Sequence, residues 1–533
     1  MWAARGPRRS AMDVAESLPC PKTASSLGIS RYSHMEAGAR MHGNYPGLYS
    51  AFCAKDPRFD GRFFVGVSST RIYCRPVCRA RMPKEENCAF FSSAAEAEQA
   101  GYRPCLLCRP ELAPGMSIAD ASASLAKRAA RMIEENCGSG ERLEQFAHRL
   151  HCTGRHLRRV FEEEFHVSPV QYLQTCRLLL AKNLLTDTKL RVVDIAMAAG
   201  FGSLRRFNDA FKEKYHLTPG DIRKRMSTSK REDAELKVSL GYRPPYRWKE
   251  MLRFLKGRAI AGIDLVRGDA YYRTVCLANT RRMPVTGWIA VSNNEAEHIL
   301  EVSLSESLLS VLPQLLGKVR NMFDLYCDPE AVFESLSSMN AIRENLCMKG
   351  ARLPGCFDSF EVSVRAILGQ QVTVKAAGTL AERLVSRFGI PVATVVEGLS
   401  RIFPPPEYFA GLDGPLEQRL GPLGITASRA GAIEALAKAL ARREICLDGC
   451  SDPEQETRKL MGIRGIGTWT ANYIAMRAMA WPDAFLETDA GIRHALPRYS
   501  PRELRIMAEQ WRPWRSYAAV NLWNSLHATD DNG

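Results

Sequence analysis

Two closely spaced cysteine pairs most strongly constrain the fold of this 533-residue chain. Cys74 and Cys78 are separated by three residues, and Cys105 and Cys108 are separated by two. Thiolate sulfur is a preferred zinc ligand, and two short pairs in this layout are typical of a tetrahedral four-cysteine site. Cys88 is a rival ligand, although it has no close partner in the sequence. A structural zinc knuckle without chemistry is the simplest alternative for such a site.

Basic residues crowd these cysteines, which suits a zinc site that meets a phosphate backbone. They are Arg71, Arg75, Arg79, Arg81, Arg103 and Arg109. Residues 1–232 hold 37 lysines and arginines against 24 acidic residues, a net charge of +13, which leaves +2 of the total +15 for residues 233–533. We therefore expect the first part of the chain to attract nucleic acid. Near the cysteines, the predicted DNA contacts are Arg75, Arg79 and Arg81.

The length of the chain exceeds what one hydrophobic core supports, so we expect several domains. No apolar run reaches membrane-spanning length, and the N-terminal residues lack the apolar stretch of a secretory signal. We therefore expect a cytoplasmic protein whose 16 cysteines are reduced. Residues 1–44 are predicted to be a disordered extension or to precede the true translation start, for which Met41 is a candidate.

Periodicity divides the rest of the chain into segments. Residues 45–115 combine strand-like runs with the cysteines, residues 120–226 have a helical pattern, and residues 227–235 form a polar linker. Alternating apolar residues indicate antiparallel strands in residues 236–325, and helical periodicity returns in residues 328–527. The predicted fold class is multidomain α+β: a small zinc-bound α/β domain, an all-α double helix–turn–helix, and a β-rich subdomain joined to an all-α helix–hairpin–helix core.

Three runs around the cysteines carry a resemblance to a known family. They are Asp56 to Phe64, Ile72 to Arg81 and Gly101 to Pro110. This region resembles the zinc-binding domain of the Ada-type DNA alkylation-response proteins. The resemblance implies one zinc ion held by all four cysteines and irreversible methyl transfer from a DNA methylphosphotriester to Cys74. Methylation turns an anionic thiolate into a neutral thioether, so such a domain senses damage as well as repairing it.

Two helix–turn–helix motifs are predicted in residues 120–226. In the second motif, Ile195 and Ala196 pack the first helix, Gly200 supplies the turn, and Ser203 caps the second helix. The segment resembles the DNA-binding domain of AraC-type transcription factors, whose second helices enter the major groove. The predicted contacts are Arg155, His156, Arg158, Arg159, Ser203, Leu204, Arg205 and Arg206. The alternative is that these arginines only form a solvated surface.

The strongest motif of the second half lies in residues 460–473. Gly465 and Gly467 stand between two helical patterns, Trp469 follows, and Asp489 ends the run Phe-Leu-Glu-Thr-Asp. Glycines in such a hairpin let backbone N–H groups approach a DNA phosphate, aided by the dipole of the next helix. The motif is typical of helix–hairpin–helix DNA glycosylases, and residues 236–527 most resemble the AlkA-type 3-methyladenine glycosylases.

This second resemblance assigns roles to individual residues. Asp489 is the catalytic carboxylate, and Trp469, Tyr473 and Trp523 form an aromatic pocket whose rings favour a cationic base; core packing is the alternative for each ring. Relatives that also cut the backbone carry a lysine where this chain has Trp469, so a monofunctional enzyme is expected. Gln371 occupies the position of the wedge that replaces a flipped base, where an apolar residue is usual.

These features predict a protein of the DNA alkylation-damage response. It combines a zinc methyl-transfer sensor, a transcription-activator DNA-binding domain and a glycosylase that excises alkylated purines such as 3-methyladenine. The expected cofactor is one Zn²⁺, with none for the glycosylase. The expected partners are alkylated and promoter double-stranded DNA and RNA polymerase, in the nucleoid of a bacterial cytoplasm, with no membrane. The alternative is a transcription regulator whose glycosylase half is inert and only binds DNA.

Overall fold

The computed structural model describes residues 47–116, 124–138, 143–226, 236–279, 281–448 and 452–527. The predicted N-terminal extension and the predicted linker at 227–235 lie outside these residues. Within them, no helix combines the length and the apolar character needed to cross a membrane. The predicted multidomain α+β fold class is confirmed, and its parts follow in chain order.

The first domain contains a four-stranded sheet in the order β3–β1–β2–β4. Its elements are α1 (Leu48–Cys53), β1 (Phe64–Val67), β2 (Ile72–Cys74), β3 (Cys88–Phe91), α2 (Ala94–Gln99) and β4 (Arg103–Pro104). β2 and β4 are parallel, and their register pairs Ile72 with Arg103 and Tyr73 with Pro104. The next residue on each strand is a cysteine, so this pairing brings the two cysteine pairs to one end of the sheet.

Seven helices follow, and they form the two predicted helix–turn–helix motifs. They are α3 (Leu125–Asn136), α4 (Leu143–Arg149), α5 (Gly154–Phe165), α6 (Pro169–Asp187), α7 (Val192–Ala198), α8 (Leu204–Tyr215) and α9 (Pro219–Met226). Ser203 caps α8 by accepting a hydrogen bond from the Arg206 N–H at 3.3 Å. Gly200 has φ +85°, and a Cβ there would lie 2.9 Å from the Cys137 carbonyl oxygen. The predicted cap and the predicted turn are both confirmed.

The long helix α6 connects the two motifs and also contacts the domains on either side. The buried Glu98 of the first domain accepts hydrogen bonds from Tyr73 Oη at 3.1 Å and from Thr175 Oγ1 of α6 at 2.8 Å. Arg109 forms an ion pair with Asp187 at 2.8 Å, at the other end of α6. Tyr73 and Arg109 each adjoin a cysteine of the metal cluster, so α6 is held at two points beside that cluster.

A five-stranded antiparallel sheet, in the order β5–β9–β8–β7–β6, comes next. Its strands are β5 (Leu236–Gly241), β6 (Asp264–Arg267), β7 (Ala270–Ala278), β8 (Pro284–Asn294) and β9 (Ile299–Leu304). The Asn183 amide of α6 donates to the Ser239 carbonyl at 3.1 Å, and the Ser239 N–H donates to Asp187 at 3.0 Å. One hydrophobic core therefore continues from the second helix–turn–helix motif into this sheet.

Helices complete the chain and enclose its largest hydrophobic core. They are α10 (Trp248–Lys256), which precedes β6, then α11 (Leu312–Met322), α12 (Pro329–Leu336), α13 (Ser359–Leu368), α14 (Val374–Phe388), α15 (Pro406–Ala410), α16 (Leu416–Leu420), α17 (Ala427–Ala441), α18 (Pro453–Met461), α19 (Thr468–Ala478), α20 (Ala490–Ala495), α21 (Pro501–Ala508) and α22 (Arg515–Asn524). A two-stranded ribbon lies between α14 and α15, formed by β10 (Ile390–Pro391) and β11 (Arg401–Ile402). The predicted hairpin joins α18 to α19.

Candidate functional site

The four cysteines of the two pairs form one cluster. Their Sγ atoms all lie within 4.8 Å of one another. Zinc–sulfur bonds of about 2.3 Å in a tetrahedron give sulfur separations of about 3.8 Å, so the cluster fits a zinc ion. Cys88 lies outside this group, and its thiol donates a hydrogen bond to the Lys84 carbonyl at 3.4 Å. The thiols that would hold the metal are therefore those of Cys74, Cys78, Cys105 and Cys108.

Arg75 is held beside the cysteine cluster by contacts within the domain. Its guanidinium forms an ion pair with Asp60 and donates to the Cys108 carbonyl at 3.1 Å, while its backbone N–H donates to Cys108 Sγ at 3.3 Å. The side chain is only 13% exposed. The guanidinium charge of Arg75 is therefore paired inside the domain, where it holds the cysteine cluster, and its contact with DNA stays a prediction. Arg79 and Arg81 are exposed and remain available for such a contact.

The predicted recognition helices of the two helix–turn–helix motifs expose their arginines to solvent. Arg155, Arg158 and Arg159 are exposed on α5, as are Arg205 and Arg206 on α8. The exposed ion pairs that some of them make at the surface contribute little free energy, so a DNA phosphate can replace them at small cost. His156 and Leu204 are exposed as well, whereas Ser203 uses its hydroxyl in the helix cap.

Asp489 is held in place by three N–H donors. It caps α20, where its Oδ1 accepts from the Ile492 backbone at 3.0 Å. The Trp523 indole donates to the same oxygen at 2.8 Å, and the Trp469 indole donates to Oδ2 at 3.1 Å. The sequence assigned both tryptophans to the pocket but did not reveal that they orient the carboxylate. Donors on both oxygens fix the plane of the carboxyl group.

Aromatic rings surround this carboxylate in a cleft of about 1510 Å³. Trp469 and Tyr473 are stacked, with ring centroids 5.2 Å apart and planes 15° apart. Phe254 of α10 stacks on Trp523 at 6.0 Å and 24°. The structure therefore brings the three predicted pocket residues together. Phe254 supports Trp523 without lining the cleft itself; it lies more than 200 residues earlier in the chain, and this contact could not be predicted from the sequence.

The electrostatics of Tyr473 are unusual for a buried tyrosine. Burial raises its pKa, but the positive charges of Arg477 and Arg258 outweigh that effect and leave the pKa below its usual value. Arg477 Nη1 donates to the Tyr473 hydroxyl at 2.7 Å. Arg258 is also buried, and its burial lowers the pKa of its guanidinium group. Arg258 and Arg477 thus place two guanidinium groups beside Tyr473 in the lining of the cleft.

The hairpin and the predicted wedge lie on the rim of the cleft. Gly465 has φ +94°, and Gly467 precedes α19 with no heavy atom of the described residues near its Cβ position. The first N–H groups of α19 have no side-chain cap, so they are open to an anion. Gln371 is exposed, with φ +55°, and the neighbouring Gln370 donates to the Gly465 carbonyl at 2.8 Å. This geometry suits the predicted roles of these residues.

Four family models match the chain in succession. They are the metal binding domain of Ada at residues 47–111, a helix-turn-helix domain at 146–225, the AlkA N-terminal domain at 237–358, and the HhH-GPD superfamily of base excision DNA repair proteins at 364–514. Their order is the order of the predicted domains.

Some similar proteins match most of the chain, and others match only its N-terminal or its C-terminal part. The probable bifunctional transcriptional activator/DNA repair enzyme AlkA of Mycobacterium tuberculosis is 33% identical over 495 residues, 91% of this chain and 97% of the relative. DNA-3-methyladenine glycosylase 2 of Escherichia coli is 36% identical over 285 residues, 54% of this chain and 96% of the relative. The bifunctional activator/repair enzyme AdaA of Bacillus subtilis is 31% identical over 177 residues, 33% of this chain and 81% of the relative.

The cysteine cluster predicts that the purified chain binds one zinc ion. Replacing Cys105 with serine should abolish stoichiometric binding, because the hydroxyl is a poor ligand in a four-thiolate site. Zinc content is measured by mass spectrometry of the metal after gel filtration. The matched control is Cys88→Ser, which should retain the metal. Loss of zinc from Cys88→Ser, or full zinc in Cys105→Ser, would contradict the assigned ligand set.

Proposed function

This chain belongs to the AlkA-type family of bifunctional transcriptional activators and DNA repair enzymes, and on that premise we propose that it detects and repairs alkylation damage in DNA. Its C-terminal half acts as a DNA-3-methyladenine glycosylase of the base excision type. The observation that carries this assignment is the carboxylate of Asp489, which three N–H donors hold at an aromatic cleft beside the hairpin. The cleft residues and the wedge are proposals that rest on this geometry.

The chemistry assigned to the cleft requires that the damaged base leave the helical stack. Gln371 fills the space left in the duplex, while the open N–H groups after Gly467 hold a backbone phosphate. The bond between C1′ and the base nitrogen breaks, and its electron pair leaves with the base. A base that carried a positive charge departs neutral. Asp489 stabilises the positive charge that develops on the sugar, and water then adds to C1′.

The glycosylase reaction needs no cofactor in this proposal, because a cationic purine is already a good leaving group. The carboxylate, the hairpin and the aromatic pocket are all assembled in one cleft, which argues against the alternative of an inert DNA-binding half. Trp469 stands where a bifunctional lyase has its amine nucleophile, and an indole cannot form a Schiff base. The reaction therefore ends at an abasic site.

The N-terminal domain accepts methyl groups at Cys74 in this proposal. The Cys74 sulfur attacks the methyl carbon of a methylphosphotriester, the carbon–oxygen bond breaks, and its electron pair returns to the phosphate as an ordinary phosphodiester. A zinc ion bound by the four thiols would keep them deprotonated at neutral pH. Arg79 and Arg81 are the exposed charges next to this site that can contact the DNA backbone.

Methylation of Cys74 removes one negative charge at a surface that faces DNA. The two helix–turn–helix motifs then bind promoter DNA through Arg155, Arg158 and Arg159 on α5 and through Arg205 and Arg206 on α8. RNA polymerase is the partner that this activator step requires. The chain is accordingly proposed to work at the bacterial nucleoid.

The glycosylase assignment predicts that Asp489→Asn lowers the rate of base release by about 10²–10³-fold, because a neutral amide no longer stabilises charge on the sugar. The measurement is the single-turnover release of free base from a duplex that contains one 7-methylguanine. The matched control is Glu487→Gln, which removes a carboxylate two residues away that pairs with Arg505 at the surface. The assignment fails if the wild-type protein releases no base or if Asp489→Asn releases base as fast as the wild type.

The methyl-acceptor assignment predicts a single methyl group on Cys74 after incubation with DNA that contains methylphosphotriesters. Tandem mass spectrometry of the peptide around the first cysteine pair locates the group. Because the thioether forms irreversibly, the yield should reach one methyl per chain and then stop. A methyl group on Cys78, or unmodified protein after exposure to excess substrate, would disprove the role of Cys74.

A further inference from the structure

Two arginine side chains lie against the aromatic wall of the cleft. Arg477 of α19 is 7% exposed and donates to the Tyr473 hydroxyl at 2.7 Å and to the Gly355 carbonyl at 2.9 Å. Arg258 follows α10, and its guanidinium carbon lies 3.7 Å from the centroid of the Phe254 ring. The guanidinium carbon of Arg477 is 4.7 Å from the same centroid. The two charges thus share one aromatic neighbour.

These two charges lack the counter-charges that neighbouring arginines have. Arg273 and Arg365 also line the cleft, and both pair with the buried Glu361, at 2.9 and 2.7 Å. Among the described residues, no carboxylate lies within ion-pair distance of Arg258 or Arg477. The Nε of Arg477 is buried and has no hydrogen-bond partner among those residues. A buried charge without a counter-charge is unfavourable, so this arrangement suits a ligand that brings negative charge.

Both arginines line the same cleft as Asp489 and the pocket residues Trp469, Tyr473 and Trp523. Tyr473 stacks on Trp469, whose indole bonds one oxygen of Asp489, and Phe254 stacks on Trp523, whose indole bonds the other. Arg477 contacts Tyr473, which stacks on Trp469, and both arginines contact Phe254, which stacks on Trp523. The two tryptophans in turn hold the carboxylate. Because Arg477, Arg258 and Asp489 line one cleft, a base held there with its sugar at Asp489 can present another edge to the guanidinium groups.

We propose that Arg477, assisted by Arg258, stabilises negative charge on the departing base and so determines which bases the cleft releases. This role rests on the proposed glycosylase function and adds a specificity-determining residue to it. It concerns bases that are neutral while attached to the sugar. When the C1′–N bond breaks, its electron pair leaves such a base as an anion, and the charge spreads to the ring nitrogens and to an exocyclic oxygen.

The guanidinium of Arg477 then donates to that anion, which takes a proton from water after it has left the sugar. A preorganised donor in a site from which water is excluded stabilises developing charge far better than the same donor in water. The Tyr473 hydroxyl, made more acidic by the two guanidinium groups, is a second donor at the same edge. A cationic base departs as a neutral molecule and gains nothing from these groups. The arginines therefore favour neutral bases selectively.

The test compares two duplexes that differ only in the charge of the damaged base. One contains hypoxanthine, a neutral purine with an exocyclic oxygen, and the other contains 7-methylguanine, which is cationic. Single-turnover rates of base release are measured for the full-length wild type, Arg477→Gln, Arg477→Lys and Arg442→Gln. Arg442 serves as the matched control because it carries the same charge in the same domain but is 68% exposed at the surface.

We expect the ratio of the hypoxanthine rate to the 7-methylguanine rate to fall by about tenfold or more in Arg477→Gln. The fall should be smaller in Arg477→Lys, which keeps the charge, and Arg442→Gln should have the wild-type ratio. Arg258→Gln, in another part of the chain, should lower the same ratio and provides a second variant if Arg477→Gln does not fold. A melting temperature for each variant identifies such a failure.

Four results would overturn the proposal. Equal losses on both duplexes would show that Arg477 supports the fold or the position of Asp489 rather than the leaving group. An unchanged ratio in both glutamine variants would show that the charges have no role. A wild type that releases 7-methylguanine but no hypoxanthine would overturn this inference and leave the proposed function intact, whereas release of neither base would overturn both.

Discussion

The glycosylase half depends on one constraint, the immobilisation of the Asp489 carboxylate by three N–H donors. The backbone donor comes from the first turn of α20, and the two indole donors come from helices α19 and α22. Because the two tryptophans also line the cleft, the groups proposed to bind the base and the carboxylate proposed to stabilise charge on the sugar are positioned together. Substituting either tryptophan therefore disturbs both functions, and the pocket cannot change shape without moving the carboxylate.

The cysteine cluster at the other end of the chain depends on a strand register rather than on a helix cap. The parallel pairing of β2 with β4 puts Cys74 and Cys105 side by side. The second cysteine of each pair, Cys78 or Cys108, is close because only two or three residues separate it from the first. Arg75 and Arg109 then fix the cluster to the surrounding domain and to α6. Buried polar groups whose hydrogen bonds are all made favour one arrangement of the elements around them. Glu98 and Asp187 hold α6 beside the cluster in this way, through Thr175 and Arg109.

Much of this arrangement could be predicted from the sequence, because the decisive signals are local. The spacing of the cysteines identified their cluster, and Gly200 and Ser203 marked the turn and cap of the second helix–turn–helix motif. The ion pair of Arg75 with Asp60 could not be predicted, because the two residues lie on different parts of the fold. Phe254 and Arg258 were missed for the same reason: the contact of Phe254 with Trp523 and the place of Arg258 in the cleft depend on how α10 packs against α19 and α22. Local sequence patterns predict helices, strands and motifs. Which residues contact each other across the fold depends on how these elements pack, and a local pattern does not show that.

In the proposed function, one chain repairs two kinds of alkylation damage by two different chemistries. The most direct test exposes one preparation of the protein to DNA treated with a methylating agent, and follows free methylated purines and the mass of the intact protein over the same time course. We expect free base to accumulate well beyond one molecule per chain, because the glycosylase turns over, while each chain gains one methyl group and then no more. Base release that stops at one per chain, or continued release by a protein that never becomes methylated, would contradict it.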